Sequence, residues 1–387
     1  MIKRVLILVT AMILCFTACV DIDYDTDSRY STSESAVLSE DAESDTVSSA
    51  DVSADSSLAE SENSATSESS DSSIEESSAA ESTESHNEDS STAESSEEVS
   101  EDNSVDESSA VLPSRDVKEI CAEIAAIRGN GFVSNIDNPA VAEKLDELEK
   151  YLEGKGYGFF YCDLEYNGYI AYDASKQFHT ASTSKLPYIK YLATLVDKGE
   201  IDTEEKLVQL ESYYDPGSGI LKKNTPGKSY SVAKLMDYVL RYSDNIAYKM
   251  LYYRYGLSGF MAHLKTLGVN FSTYNGYGYC TATEMAAMLF DVAMYEGATL
   301  GLIKNAGCNA SYNVQFGAEL KEYQVLQKYG VIKPTNLMYH DIAIVYAPHP
   351  YIIVMYTNIN YDSSEKNVPF RTVGRLVEEI NSLLYGE

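Results

Sequence analysis

The chain has 387 residues and a formal net charge of −31, spread so unevenly that length alone says little about the number of domains. No basic stripe occurs in either half of the foldable part, which argues against nucleic acid as a partner. Composition divides the chain into three zones, and only the last is apolar enough to bury a core.

Residues 1–19 begin with Lys3 and Arg4, run apolar through "VLILVTAMILCFTA", and reach Cys19 directly after Thr17 and Ala18. An apolar run of about 14 residues is too short for a membrane span, and with a small-residue site behind it reads as a secretion signal. "FTAC" resembles the lipobox of bacterial lipoproteins, with Phe16 where Leu is commoner. That resemblance implies export, lipidation of Cys19 and anchoring on the outer face of a bacterial cytoplasmic membrane. A plain signal peptide that releases a soluble protein is the alternative. Residues 20–112 hold about 28 acidic residues among Ser, Ala and Thr, with Arg29 the single basic one. Such a segment has too few apolar groups to fold and repels itself, so it is expected to be a disordered, extended tether. As a flexible chain it would reach roughly 50 to 60 Å.

Residues 113–387 form the expected globular domain, with a net charge near −6 and Cys121, Cys162, Cys280 and Cys308. No C-x-x-C occurs, and the spacing favours no one pairing. Two helical patterns open the domain, near 115–127 and from Pro139 to Gly154. The period then shortens: "GYGFFYCDLEY" and "GYIAYD" read as strands joined by a turn at Asn167-Gly168. Helical patterns follow over about 185–198, 230–242, 244–255, 258–267 and 281–295. Strand character returns in "EYQVLQKYGVI", "DIAIVYA" and "YIIVMYTN", before a last amphipathic helix near 369–384. This order is not the alternation of a parallel βαβ sheet. It predicts an α/β fold of the α+β type, with an antiparallel sheet of about five strands from both chain ends, flanked by helices, and an inserted all-helical subdomain.

Chemistry concentrates first in "HTASTSKLPYIKYL", where Ser182 precedes Lys185 by three positions and so shares a helix face with it. A serine needs a neighbouring base, and a lysine serves when its pKa is depressed. The positive end of a helix disfavours the ammonium and offers free N–H groups to an oxyanion. S-x-x-K alone is weak evidence, since Ser231/Lys234 and Ser363/Lys366 repeat it and Ser231 reads as a helix cap. Pro187, within a turn of Lys185, is expected to remove a backbone bond. Two further elements are Ser243-Asp244-Asn245, which as a bare tripeptide also suits a helix cap, and Lys328-Tyr329-Gly330 on a strand.

In this order and at these spacings the three elements resemble the S-x-x-K, S-D-N and K-T-G signature of class A β-lactamases and DD-peptidases. The resemblance covers roughly 139–387. It implies the β-lactamase/DD-peptidase fold and an enzyme acylated on Ser182, with Lys185 as proton acceptor. Ser243 would relay the proton to the leaving nitrogen, Asn245 would orient the substrate amide, and Lys328 would add positive charge near a substrate carboxylate. The oxyanion hole would be the backbone N–H groups of Ser182 and of Val331, which follows Gly330. The implied substrate is a β-lactam or a peptidoglycan-type peptide, with no cofactor and no metal.

Two departures bear on activity. Tyr329 stands where the family carries the Thr that contacts a substrate carboxylate. The family's E-x-x-L-N loop, whose glutamate activates the deacylating water, has no counterpart, because residues 246–283 contain no Asp or Glu. Glu284 comes next, but Thr281-x-x-Glu284 has the form of a capping box. A missing general base typically costs 10² to 10⁴ in rate, so slow deacylation is expected. No G-x-S-x-G elbow supports a Ser/His/Asp hydrolase, and His340, Asp341 and His349 lack a recognised metal spacing. A DD-peptidase or transpeptidase, and a silent cell-envelope binding module with the same fold, remain the alternatives. A monomer is expected, although no feature reports on oligomeric state.

Overall fold

The computed structural model describes residues 115–274, 277–332 and 337–386. The signal over 1–19, the tether over 20–112 and the lipidation of Cys19 lie outside the described residues. Helix α1 (Val117–Ala126), strand β1 (Phe132–Ser134) and helix α2 (Ala142–Leu152) precede the hairpin β2 (Gly158–Asp163) and β3 (Tyr169–Tyr172). After β4 (Phe178–His179) and helix α3 (Lys185–Asp197), the inserted region contains β5 (Lys206–Val208), β6 (Ser229–Ser231) and helix α4 (Val232–Arg241). It continues through α5 (Asn245–Tyr255), α6 (Ser258–Thr266), β7 (Ser272–Tyr274) and β8 (Tyr277–Cys280). Helices α7 (Ala282–Ala293), α8 (Leu300–Cys308) and α9 (Phe316–Glu319) lead to β9 (Gln324–Val331), β10 (Tyr339–Tyr346), β11 (Tyr351–Tyr356) and the last helix, α10 (Val368–Tyr385).

The main sheet has the order β1-β3-β2-β11-β10-β9, antiparallel at every step, so strands from both ends of the chain meet where β2 pairs with β11. Successive side chains on those strands enter different cores. Phe160, Cys162, Ile352, Val354 and Tyr356 point into one, while Phe159, Tyr161, Ile353 and Met355 point into the other. Helices α2 and α10 close the second core with Leu148, Leu152, Phe370 and Val377. The first core is shared with α1, α3, α7 and the inserted helices. Because both faces are covered, these strands read as continuous apolar runs rather than alternating ones.

The sheet has six strands rather than about five. The added β1 is three residues long, too short to show a period, and pairs with β3 (Val133 opposite Ala171). The inserted region is not all-helical either: β4, β8 and β7 form a small sheet, and β5 pairs with β6. These strands have two to four residues, and what holds them is pairing across the chain, which local periodicity does not show. The turn after β2 is wider than a two-residue Asn-Gly loop. Asp163 accepts N–H bonds from Asn167 and Gly168, both at 3.2 Å, and Tyr166 takes a positive φ of 57°. Pro187 breaks no rule, because α3 starts at Lys185 and the proline falls in a first turn whose N–H groups have no helical partner. All four cysteines of this part are unpaired, and Cys121, Cys162 and Cys280 are buried.

Candidate active site

A 3-10 turn over Ala181–Ser184 runs directly into α3 and carries Ser182 at its open end. Ala181 has a φ of 48°, a left-handed conformation that costs a non-glycine residue about 1 kcal/mol. Surrounding bonds hold it there. The Ala181 N–H donates to His179 Nδ1 at 3.0 Å, and Thr183 Oγ1 donates to the Thr180 carbonyl at 2.7 Å. Strand β9 presses against this turn at Gly330. A Cβ there would stand 3.0 Å from both the Thr180 carbonyl oxygen and Ala181 Cβ, and 3.1 Å from Thr183 Cγ2. Glycine therefore allows β9 to bring Val331 beside Ser182 on the wall of one cleft.

Lys185 is fully buried, and its Nζ donates to the Ser243 carbonyl at 2.8 Å and to Asn245 Oδ1 at 2.6 Å. Burial pushes its pKa down to about 7 against the opposing pull of Asp244 and Asp215, so the amine is available near neutral pH. Lys328 is buried as well. Its Nζ donates to Ser243 Oγ and to the Tyr329 carbonyl, both at 2.9 Å. Burial first, and then the Lys185 charge, hold Lys328 well below the usual lysine range. The Ser243 backbone is itself strained, with a φ of 52°, and its hydroxyl accepts from one lysine while its carbonyl accepts from the other.

Asp244 is the N-cap of α5, accepting from the Ile246 and Ala247 N–H groups. Its other oxygen takes the N–H groups of Ile220 and Leu221 at 2.6 and 2.8 Å. The cap reading of Ser243-Asp244-Asn245 holds, and the same cap ties a loop to the cleft that Asn245 lines. Gly219, at a φ of 121°, makes that approach possible, since a Cβ there would stand 2.4 Å from Asp244 Oδ2. The same loop delivers Asp215, whose Oδ1 accepts from Asn245 Nδ2 at 2.8 Å while Oδ2 pairs with Lys249 Nζ at 3.0 Å. Burial raises the Asp215 pKa, but hydrogen bonds from Asn245 and Gly217 and the Lys249 ammonium outweigh it, so the net shift is downward.

The structure gathers the residues singled out from the sequence around a cleft of about 810 Å³. Ser182, Asn245, Tyr329 and Val331 line it, while Lys185, Ser243, Lys328 and Gly330 are buried. Tyr329 packs its ring on Tyr312 at 4.4 Å, with its hydroxyl 3.4 Å from Ser218 Oγ. Glu284 accepts from the Thr281 N–H at 2.8 Å in the capping box of α7 and meets Arg128 at 3.4 Å. His340 and Asp341 belong to the frame. His340 Nε2 lies 3.1 Å from the His179 carbonyl and its Nδ1 accepts from the Thr357 N–H, whereas Asp341 accepts from the Phe316 N–H. Among the described residues no group of three His, Cys, Asp or Glu side chains is placed to hold a metal. The sequence reading missed Asp215, His179 and Tyr277, which also line the cleft. Asp215 opens Asp-Pro-Gly-Ser-Gly, a turn-rich run that marks a tight loop but not what the loop faces.

Comparison with known proteins agrees with this fold. The profile described as the beta-lactamase enzyme family matches residues 140–380. No curated protein sequence matches the chain. Among solved structures, PBP-A is similar at 16% identity with a TM-score of 0.53, covering 70% of this chain and 97% of PBP-A. A PBP-A mutant in an acyl-enzyme complex with penicillin G reaches a TM-score of 0.56 at 18% identity, covering 62% of this chain and 97% of that one. A β-lactamase from Sphaerobacter thermophilus DSM 20745 gives 0.54 at 18% identity, over 64% of this chain and 99% of its own. Identities this low establish the fold alone, whereas the family profile spans more than half of the sequence. The chain therefore belongs to the beta-lactamase enzyme family.

Proposed function

We propose that the protein is a serine acyl-enzyme hydrolase that takes β-lactams or peptidoglycan-type peptides onto Ser182. The observation that carries this reading is the meeting of three distant segments. Lys185, with its pKa brought to about 7 by burial, is bonded to the Ser243 carbonyl, and the Ser243 hydroxyl is bonded to Lys328. In this reading the Lys185 amine takes the Ser182 proton as Oγ attacks the carbonyl carbon. Charge developing on the carbonyl oxygen meets the backbone N–H groups of Ser182 and Val331. Ser243, accepting from Lys328, would relay the proton: it gives its own to the leaving nitrogen and takes one back from the Lys185 ammonium, which returns to the neutral amine. Asn245 would present its Nδ2 to the substrate amide, in competition with Asp215.

Deacylation is proposed to be slow. Glu284 is committed to its capping box, and residues 246–283 supply no other carboxylate. The anchoring of the chain by Cys19 on the outer face of a bacterial cytoplasmic membrane, with residues 20–112 as spacer, is proposed from the sequence alone. The test is the mass of the purified protein during exposure to a penicillin. The expected result is a persistent adduct of one penicillin, absent in Ser182→Ala. Turnover at the rate of a working β-lactamase without an adduct would overturn slow deacylation, and labelling that survives Ser182→Ala would overturn the assignment of the nucleophile.

A further inference from the structure

His179 lies two residues before the strained Ala181 and lines the cleft. The Ala181 N–H donates to its Nδ1 at 3.0 Å, so that nitrogen carries a lone pair and the ring proton sits on Nε2. On the other side, His340 braces the same residue. Its Nδ1 accepts from the Thr357 N–H, which leaves Nε2–H to donate to the His179 carbonyl at 3.1 Å. The Tyr279 ring meets the His179 ring edge-on at 4.9 Å and limits its rotation. Two neutral histidines thus hold the backbone on both sides of Thr180, immediately ahead of the amide that would form half of the oxyanion hole.

We infer that His179 is a positioning residue: its neutral ring holds Ala181 in the left-handed conformation that aims the Ser182 N–H into the cleft, and protonation of the ring releases it. Protonated, Nδ1 would become a donor facing a donor, and the hydrogen bond that offsets the strain at Ala181 would become a repulsion. The titratable groups packed against His179 are Tyr277 and Tyr279 from β8, at its ring, and His340 from β10, at its carbonyl, and Asp215 and Lys222 line the same cleft. Burial lowers the His179 pKa, which keeps the ring neutral at neutral pH. The inference rests on Ser182 being the acylated residue.

The experiment compares His179→Asn and His179→Phe in penicillin acylation, separating the limiting rate from the half-saturating concentration. Asn places an acceptor at the δ position, whereas Phe keeps the ring packing and removes it. Loss of one whole oxyanion donor costs about 10² to 10³ in rate, so a misaimed one in His179→Phe should cost roughly 10- to 100-fold, with half-saturation and thermal melting little changed. His179→Asn should stay within about threefold of the parent. On the acid side, where the ring takes up its proton, the parent should lose acylation with a slope of two protons, for Lys185 and His179, and His179→Asn with a slope of one. Equal rates in His179→Phe and the parent, or equal damage in both variants, would overturn the inference. If no penicillin labels the parent, the proposed function fails on its own terms, and ring ¹⁵N NMR of the resting protein still decides the positioning role. Nδ1 must then be the unprotonated nitrogen, and the Ala181 amide must lose its hydrogen-bonded shift in His179→Phe; a protonated Nδ1 refutes it.

Discussion

Acylation should switch on with rising pH through about 7, because that is where burial brings the Lys185 amine. Only the uncharged form can accept the Ser182 proton. About half of the lysine is uncharged at pH 7, about a tenth at pH 6 and nearly all at pH 9. The rate should therefore rise roughly tenfold between pH 6 and 9, and unperturbed lysine chemistry would place the same rise near pH 10. Asp215 provides the internal control. Its carboxylate favours the Lys185 ammonium from across the Asn245 amide, which it meets at 2.8 Å while Asn245 meets Lys185 at 2.6 Å. A charge one amide away in a partly wet cleft is worth roughly 0.5 to 1 kcal/mol, so Asp215→Asn should lower the midpoint by about half a unit. Freed of its partner, Lys249 would push in the same direction, since its charge already lowers Lys185. Single-turnover acylation by a saturating penicillin, read from pH 6 to 9, is the assay. A flat profile would remove Lys185 from the role of base, and a midpoint raised by Asp215→Asn would reverse the assigned electrostatics.

Gly330→Ala should destabilise the protein by roughly 1 to 3 kcal/mol in thermal melts. It should also cut acylation more than tenfold, because the added Cβ meets Thr180 and Ala181 at 3.0 Å and separates Val331 from the nucleophile turn. Glu284→Gln should leave the acyl-enzyme lifetime, followed by mass, unchanged within about twofold, since glutamine also completes a capping box; a much longer lifetime would reveal Glu284 as the base. His340 is held at about 3 by burial, so its neutral form stabilises the fold fully above about 6.5, and as much as about 5 kcal/mol is lost as pH falls toward 3. Asp341 is raised to about 7 by burial, so its contribution runs oppositely, complete below about 3.8 and lost as pH rises to 7. Urea midpoints should be nearly level from pH 4 to 6.5 and should rise with pH over that range in Asp341→Asn; level midpoints in that variant would contradict both assignments.

The long elements were legible because each carries its own period. Helices α3 to α7 fall within about two residues of the ranges read from spacing, and β9 to β11 stand where apolar runs replaced the helical pattern. Elements that exist through pairing alone were not legible. Strand β1 is defined by Phe132 opposite Tyr172, and β4 by Phe178 opposite Cys280 across about a hundred residues of chain. The Asn167-Gly168 signal located a real hairpin but not its width, which depends on the Asp163 carboxylate gathering two N–H groups.

The site divides in the same way. Ser182, Lys185, Ser243, Asn245 and Lys328, which the fold gathers at one cleft, could be singled out because chemistry restricts both residue type and order, and a restricted pattern survives in one dimension. Asp215 and His179 act through partners that only folding supplies. One bonds Asn245 from a loop clamped by Asp244, and the other bonds an amide two residues away that a helical reading would have paired elsewhere. The expected glutamate had a motif and could be noticed by its absence, whereas the carboxylate that does reach the cleft has none. Asp215 also differs from a deacylating base in kind. Its oxygens already bond Asn245, Gly217 and Lys249, which hold its pKa down and leave little basicity for a water. A carboxylate placed this way would compete with a substrate amide for Asn245, and its charge favours the Lys185 ammonium. In the proposed mechanism it would therefore bear on how readily Ser182 is acylated, and not on how quickly the acyl group leaves.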